Sequence, residues 1–428
     1  MPMKRRYSTV LIQTPCYELM DDRLEPPLGL LYLATWLNQH GHEAHVVDLS
    51  SVRPELWRKS IPRADIYGFS TFTTSFHRTL DILKIVKNIN PDAVTVAGGP
   101  HASALPEVVS LLFDFVVVGE GEQAILYLVT ALEAGKRLPS ILQGIPVPSL
   151  DDLPLPDYSL VDITSYSRVV DGRPSLSILS SRGCPYRCVF CNSIIMGGGR
   201  KVRFRTAANV VAEIRKLKAE WGFTSFRFQD DNLTLNRTRL RELTALLKQE
   251  AIRYRCFGRV DCCTHEVADL LFEGGCRHIA FGIESGSDEI LQRMEKRQTV
   301  DEIRQGIFNA RASGLKVRVY LMVGFPGETW DTVQETVDLM LECMPDEFSV
   351  YPLIPYPGTP IYQQPEKFGV TAINQNFSQY FQVSRDRASG YVFRTNDLNE
   401  VKIAAMRQYI IEQLESRITW AGDPKLNK

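Results

Sequence analysis

The stretch Ser181-Arg-Gly-Cys184-Pro-Tyr-Arg-Cys188-Val-Phe-Cys191-Asn192 carries three cysteines, with three and then two residues between them. It follows the apolar run Leu176-Ser-Ile-Leu179, so it reads as a loop at the end of a buried strand. Thiolates this closely spaced can converge on one metal centre, and cysteine thiolates are what hold iron–sulfur clusters. A closed structural zinc site takes four ligands, and no fourth Cys or His lies nearby in the sequence. Three thiols cannot all pair as disulfides, and nothing in the chain marks secretion. The plain alternative is three buried cysteines in a loop.

The spacing, with the aromatic Phe190 just before the last cysteine, resembles the signature of the radical S-adenosylmethionine (SAM) enzymes. The resemblance implies a 4Fe-4S cluster on Cys184, Cys188 and Cys191, with its fourth iron open to chelate SAM and Phe190 near the adenine. From Ser175 onward, strand and helix patterns alternate at least six times. Strands are expected at Leu176–Leu179, Ser225–Phe228, Tyr254–Phe257, His278–Phe281, Val317–Val323 and Phe348–Tyr351. Helices are expected over Ala207–Trp221 and over Val300–Ala312, the latter opened by the capping box Thr299-x-x-Glu302. Six such units resemble the partial (βα)6 barrel of the same enzymes, whose chemistry sits at the C-terminal strand ends. There the resemblance assigns Asp230, Asp231, Glu284, Ser285, Gly324 and Glu328 to SAM. For each acid the competing role is a helix cap or first-turn charge. Arg203 and Arg205 are candidates for a SAM carboxylate or a solvated basic edge. Gly197-Gly198-Gly199 reads as a flexible rim, and Cys16, Cys256, Cys262, Cys263, Cys276 and Cys343 as small hydrophobes.

Residues 1–135 alternate in the same way. Strands are expected at Thr9–Ile12, Ala44–Val47, Ile66–Ser70, Val94–Ala97 and Phe115–Val118, with helices at Leu28–Gln39 and Leu80–Ile89. That pattern predicts a doubly wound parallel sheet of flavodoxin-like order, with ligands at its carboxyl edge. The edge carries Thr14, Gly68, Ser70, Gly98, Gly99, His101, Gly119 and Glu120. Together with Pro26-Pro-Leu-Gly-Leu30 and Gly41-His-Glu, these motifs resemble the cobalamin-binding domain that precedes many radical SAM enzymes. The resemblance implies that these edge residues meet a cobalamin. The D-x-H-x-x-G motif that supplies an axial histidine elsewhere is absent, so cobalt is expected to lack a histidine ligand. The alternative is a domain that keeps the fold and holds no corrinoid.

Prolines at 139, 146, 148, 154 and 156 make 136–174 a linker, expected to hold no regular element and to run extended. The barrel is expected over 175–362 and a closing segment over 363–428. Within that segment Asp397–Ser416 reads as an amphipathic helix with Leu398, Val401, Met406, Tyr409, Ile410 and Leu414 on one face. The 428 residues carry 49 basic and 50 acidic side chains, so no global field favours nucleic acid or an anionic membrane. No apolar segment opens the chain, and thiols that must stay reduced fit a cytoplasmic protein. The resemblance to the radical SAM enzymes implies reductive SAM cleavage to a 5′-deoxyadenosyl radical. With cobalamin, the expected outcome is C-methylation of a small molecule, fed by an external donor of flavodoxin or ferredoxin type. The competing outcomes are dehydration, cyclisation or rearrangement, and a cobalamin or redox sensor is a third reading.

Overall fold

The computed structural model describes residues 6–17, 21–196, 200–381 and 390–421. The triple glycine 197–199 lies outside the described residues. The chain divides into two compact units: Met1–Ser167 with Asn192–Arg203 and Asn376–Ser378, and Arg168–Cys191 with Phe204–Gln375 and Gln379–Lys428.

In the first unit, strands β1 (Ser8–Gln13), β2 (Glu43–Asp48), β3 (Ile66–Ser70), β4 (Val94–Gly98), β5 (Phe115–Val118) and β6 (Ile141–Gln143) form one sheet. Their order is β2-β1-β3-β4-β5-β6 and every ladder is parallel. This is the flavodoxin-like order with a strand added. Alternation along β1 feeds a core on each face. Val10 and Ile12 pack with Tyr67, Phe69, Ile82 and Val86, and Leu11 packs with Leu30, Leu37, Ile125 and Leu128. The longer helices are α1 (Leu28–Gln39), α3 (Phe76–Ile89) and α6 (Glu122–Glu133), with short α2 (Pro54–Ser60), α4 (Pro100–Ala104) and α5 (Pro106–Val109) between them.

The proline-rich stretch departs from its expectation. Ile141–Gln143 pairs with Val116–Val118 as the edge strand β6, and three single-turn 3-10 helices follow. Proline bars a helix interior, but it leaves a three-residue edge strand between Pro139 and Pro146 unopposed.

The second unit opens with β7 (Val169–Val170) and β8 (Arg173–Ile178). Short strands β9 (Ser181–Arg182) and β10 (Arg203–Phe204) come before and after the cysteine loop, and α7 (Ser193–Met196) lies between them in sequence. Then β11 (Ser225–Phe228), β12 (Arg253–Gly258), β13 (Cys276–Glu284), β14 (Lys316–Val323) and β15 (Glu347–Pro352) alternate with helices. Those helices are α8 (Ala207–Trp221), α9 (Arg237–Glu250), α10 (His265–Glu273), α11 (Asp288–Arg293), α12 (Val300–Ala312) and α13 (Trp330–Cys343). α12 has the expected capping box, Thr299 and Glu302 each bonding the other's backbone.

The tail adds α14 (Pro360–Gln363), the antiparallel pair β16 (Val370–Ile373) and β17 (Phe393–Thr395), α15 (Glu400–Leu414) and β18 (Thr419–Trp420). The curled sheet runs β18-β15-β14-β13-β12-β11-β8-β7, so β18 extends it beyond β15. The helix begins three residues later than expected, under the Asn399 side-chain cap. Its buried face is Ile403, Met406, Ile410, Ile411 and Leu414, while Val401 is exposed. Among the described residues no helix is long and apolar enough to cross a membrane.

Candidate active site

The cysteine loop is held by side chains of the barrel. Asp230, just past β11 and 1 % exposed, accepts from Ser180 N–H at 2.8 Å, Ser180 Oγ at 2.6 Å and Ser181 Oγ at 2.5 Å. The sequence reading gave Asp230 to SAM; its carboxylate is instead spent on the root of the loop. Further along, Tyr186 lies under the Arg259 guanidinium, 3.5 Å from ring centroid to Cζ. Arg259 in turn forks onto Asp261 at 3.0 and 3.1 Å. Val189 N–H donates to Met294 O at 3.1 Å.

The three thiols sense one another. Burial, then Asp231 and the other two cysteines, push Cys184 up to about 11. Cys188 is raised by burial first, with Lys296 and Arg259 acting against it and Cys191 and Glu284 with it. None of the three is in a disulfide. Among the described residues no three His, Cys, Asp or Glu side chains stand close enough to share one ion. Three thiolates carried on one short loop are the kind of donor set that holds an iron–sulfur cluster.

Around the loop stand groups from the other strand ends. Glu284 closes β13 in a left-handed backbone conformation, φ +69°, where the register with β14 shifts. Its carboxylate pairs with Lys296 Nζ at 2.8 Å, and that ammonium also sits 5.7 Å from the Phe190 ring centroid. A Cβ on Gly282 would come within 2.5 Å of Glu284 Oε1 and 3.1 Å of Lys296 Nζ, so the glycine makes room for the pair. Lys296 was not foreseen. It stands in Arg-Met-Glu-Lys-Arg-Gln, which reads as a solvated charge run, and only the fold turns it inward. Replacing Glu284 with Gln strands a buried ammonium, with an expected cost of about 3 kcal/mol. Urea unfolding should show that cost, and a second change, Lys296→Met, should recover most of it.

Asp231 keeps solvent-accessible surface yet is crowded by protein, and that desolvation, with Asp230 beside it, raises its carboxyl to about 6. Ser285 is fully buried and accepts from Ser287 N–H at 3.2 Å, so it shapes the turn into α11. Arg205, a candidate for a SAM carboxylate, is buried against Glu213 and Asn209.

Glu328 is 3 % exposed and accepts from Gly324 N–H at 2.5 Å, while burial pushes its pKa up to about 8. It therefore folds the glycine-rich turn as a neutral acid. Between its unfolded value near 4.5 and about 8, the folded chain keeps a proton that the unfolded chain has lost. This contribution to stability is full below pH 4.5 and is lost as pH rises through 8. Glu328→Gln is expected to match the wild type in melting temperature at pH 5 and to exceed it at pH 8.

The carboxyl edge of the first unit's sheet separates residues used by the fold from residues open to a ligand. Thr14 Oγ1 is buried at 3.0 Å from Thr79 Oγ1, and Glu120 is buried in an ion pair with Arg203. A Cβ on Gly68 would strike Leu11 at 2.6 Å, and one on Gly99 would meet Thr71 N and O at 3.0 Å. Gly99, at φ +91°, thus serves the turn itself. Ser70 Oγ lies 3.5 Å from that same position. Cβ atoms on Gly98 and Gly119 would have nothing nearer than 3.9 and 4.0 Å, so a large ligand could lie against the backbone there. His101 is 1 % exposed, packed on Phe76 and Phe377 with ring centroids 4.1 and 5.1 Å away. Its Nδ1 lies 3.2 Å from Thr73 Oγ1, and burial lowers its pKa to about 4, so the ring is neutral.

The radical SAM superfamily model matches residues 178–340, and the B12 binding domain model matches residues 23–129. An uncharacterised methyltransferase of Pyrococcus horikoshii is 32 % identical over 363 residues, covering 79 % of this chain and 78 % of the relative. Cytidylyl-2-hydroxyethylphosphonate methyltransferase of Streptomyces wedmorensis is 25 % identical over 447 residues, covering 85 % and 82 %. The fold is shared with the radical SAM methyltransferase TsrM of Kitasatospora setae, at TM-score 0.73 and 20 % identity over 94 % of this chain and 91 % of that one. In this chain a B12-binding domain is followed by a radical SAM domain. The chain belongs to that family, the radical SAM superfamily members that carry a B12-binding domain.

Proposed function

We propose that the protein is a cobalamin-dependent radical SAM methyltransferase that methylates an unactivated carbon of a small molecule. The reading is carried by one observation: a single chain holds both the three-thiol loop and a sheet edge left open at Gly98 and Gly119. The names of the relatives, methyltransferases among them, favour methyl transfer. When bound, the cluster and SAM supply hydrogen-atom abstraction, and the corrinoid supplies the methyl group. Cys184, Cys188 and Cys191 would hold the cluster. Asp231, the Glu284–Lys296 pair and Phe190 would position SAM beside it. Ser70, Gly98 and Gly119 would border the corrinoid. His101, 1 % exposed and packed between Phe76 and Phe377, is not offered to a corrinoid, which supports the reading without a histidine ligand. An external one-electron donor of flavodoxin or ferredoxin type completes the reading.

The test is the fate of SAM under reducing conditions with cobalamin supplied. Methylation yields S-adenosylhomocysteine and 5′-deoxyadenosine together. 5′-Deoxyadenosine alone would replace methyl transfer with another radical reaction, and neither product would exclude both.

A further inference from the structure

The concave face of the barrel carries a row of arginines and aromatic rings apart from the residues placed above beside the cysteine loop. Along β11, β12, β14 and β15 the residues alternate. Phe226, Phe228, Tyr254, Val317, Val319 and Phe348 are fully buried on the helix side, where Tyr254 OH reaches Leu271 O of α10 at 3.3 Å. The intervening positions face the other way and hold Arg227, Arg255, Phe257, Arg318, Tyr320 and Tyr351, all partly accessible.

Arg227 and Arg255 are direct neighbours in the parallel register, and Arg318 lies across Ala280 from Phe257. The guanidinium carbons of Arg227 and Arg255 stand 5.2 and 6.0 Å from the Phe257 ring centroid, and that of Arg318 stands 5.0 Å from Tyr320. The rings continue from Phe257 to Tyr320 to Tyr351, with centroids 6.1 and 6.2 Å apart.

Three guanidiniums on one wall repel one another. Burial, reinforced by Arg227 and Arg318, lowers the Arg255 pKa, with Tyr320 acting against the shift. Glu347 comes no nearer to Arg318 than 3.7 Å, Ser349 Oγ takes one of its donors at 2.8 Å, and Arg318 Nε is buried with no acceptor among the described residues. Arginine offers planar forks suited to oxyanions, and three of them from three strands match the three free oxygens of a phosphoryl group better than the two of a carboxylate.

We propose that this wall is the substrate's anion subsite, so that the small molecule acted on carries a phosphoryl group. The aromatic ladder flanks the body of the substrate between that group and the reacting carbon. Tyr320 is paired in register with Gly282, which lies under the Glu284–Lys296 pair, and Arg318 is paired with Ala280, two residues deeper. At about 3.3 Å per residue, those two levels lie about 7 Å apart along the strand. The inference rests on the reading of this barrel as the reaction chamber.

The test is titration calorimetry of the full-length protein with inorganic phosphate, against acetate at matched ionic strength, with neither SAM nor cobalamin added. Phosphate is expected to bind one site per chain, and Arg255→Gln and Arg318→Gln are each expected to weaken it at least about tenfold. Iron content should be unchanged in both, and Arg255→Lys, which keeps the charge and loses the fork, should fall between. Absence of phosphate binding, equal binding of acetate, or binding indifferent to both arginines would overturn the proposal. Because SAM products are measured separately, a failed phosphate titration beside an intact methylation assay would sink the subsite alone.

Discussion

Replacing Cys184, Cys188 and Cys191 together by alanine is expected to leave a folded protein with no bound iron, no visible absorbance and no SAM cleavage. The loop's attachments do not depend on sulfur: they run from Ser180 and Ser181 to Asp230, from Tyr186 to Arg259 and from Val189 to Met294. Far-UV circular dichroism should therefore match the wild type while iron analysis falls to background. Single substitutions should approach the same result, since each removes one of only three thiolates on the loop. A triple variant that retained its iron would overturn the assignment.

Asp230→Ala is expected to lower stability by about 3 kcal/mol and to impair iron loading as well. The carboxylate is buried and accepts three hydrogen bonds, and its removal leaves the Ser180 N–H and two hydroxyls short of an acceptor in a closed space. Asp230→Asn, which keeps one oxygen acceptor, should recover part of both losses. Chemical denaturation and iron analysis of the two variants decide the matter. If Asp230→Ala keeps full stability and instead only weakens SAM binding, the residue belongs to the ligand and not to the loop.

Much of this was legible before any coordinates. The six barrel strands and five of the six strands of the first sheet lie where continuous or alternating apolar runs put them, because burial on one or both faces fixes that period. β6 and β18 were not legible. A three-residue and a two-residue strand have no period to read, and their pairing is dictated by the sheet edge they meet. At the site, spacing alone singled out the cysteines, while the acids divided in a way no local signal announces. Asp230 and Asp231 are adjacent, yet one is saturated by serine donors and the other faces accessible space. Which one a strand end turns inward depends on the neighbouring chain. The arginine wall did leave a trace, since Arg-Tyr-Arg-Cys-Phe and Lys-Val-Arg-Val-Tyr alternate charge with apolar residues. Alternation of that kind normally marks a solvated face, and only the curl of the sheet encloses it.

The serine–aspartate fastening also bears on how the protein matures. Small zinc modules are unfolded until the metal arrives, so that metal affinity and folding are one event. Here the stretch bearing the thiols is pinned at its base and middle by protein groups alone, and the remaining entropy to be surrendered is that of a few residues. Metallation is then a late, local step on a finished scaffold. A chain stripped of iron by air would remain a competent acceptor, and repair would require only fresh iron, sulfide and reductant, without a return to the unfolded state.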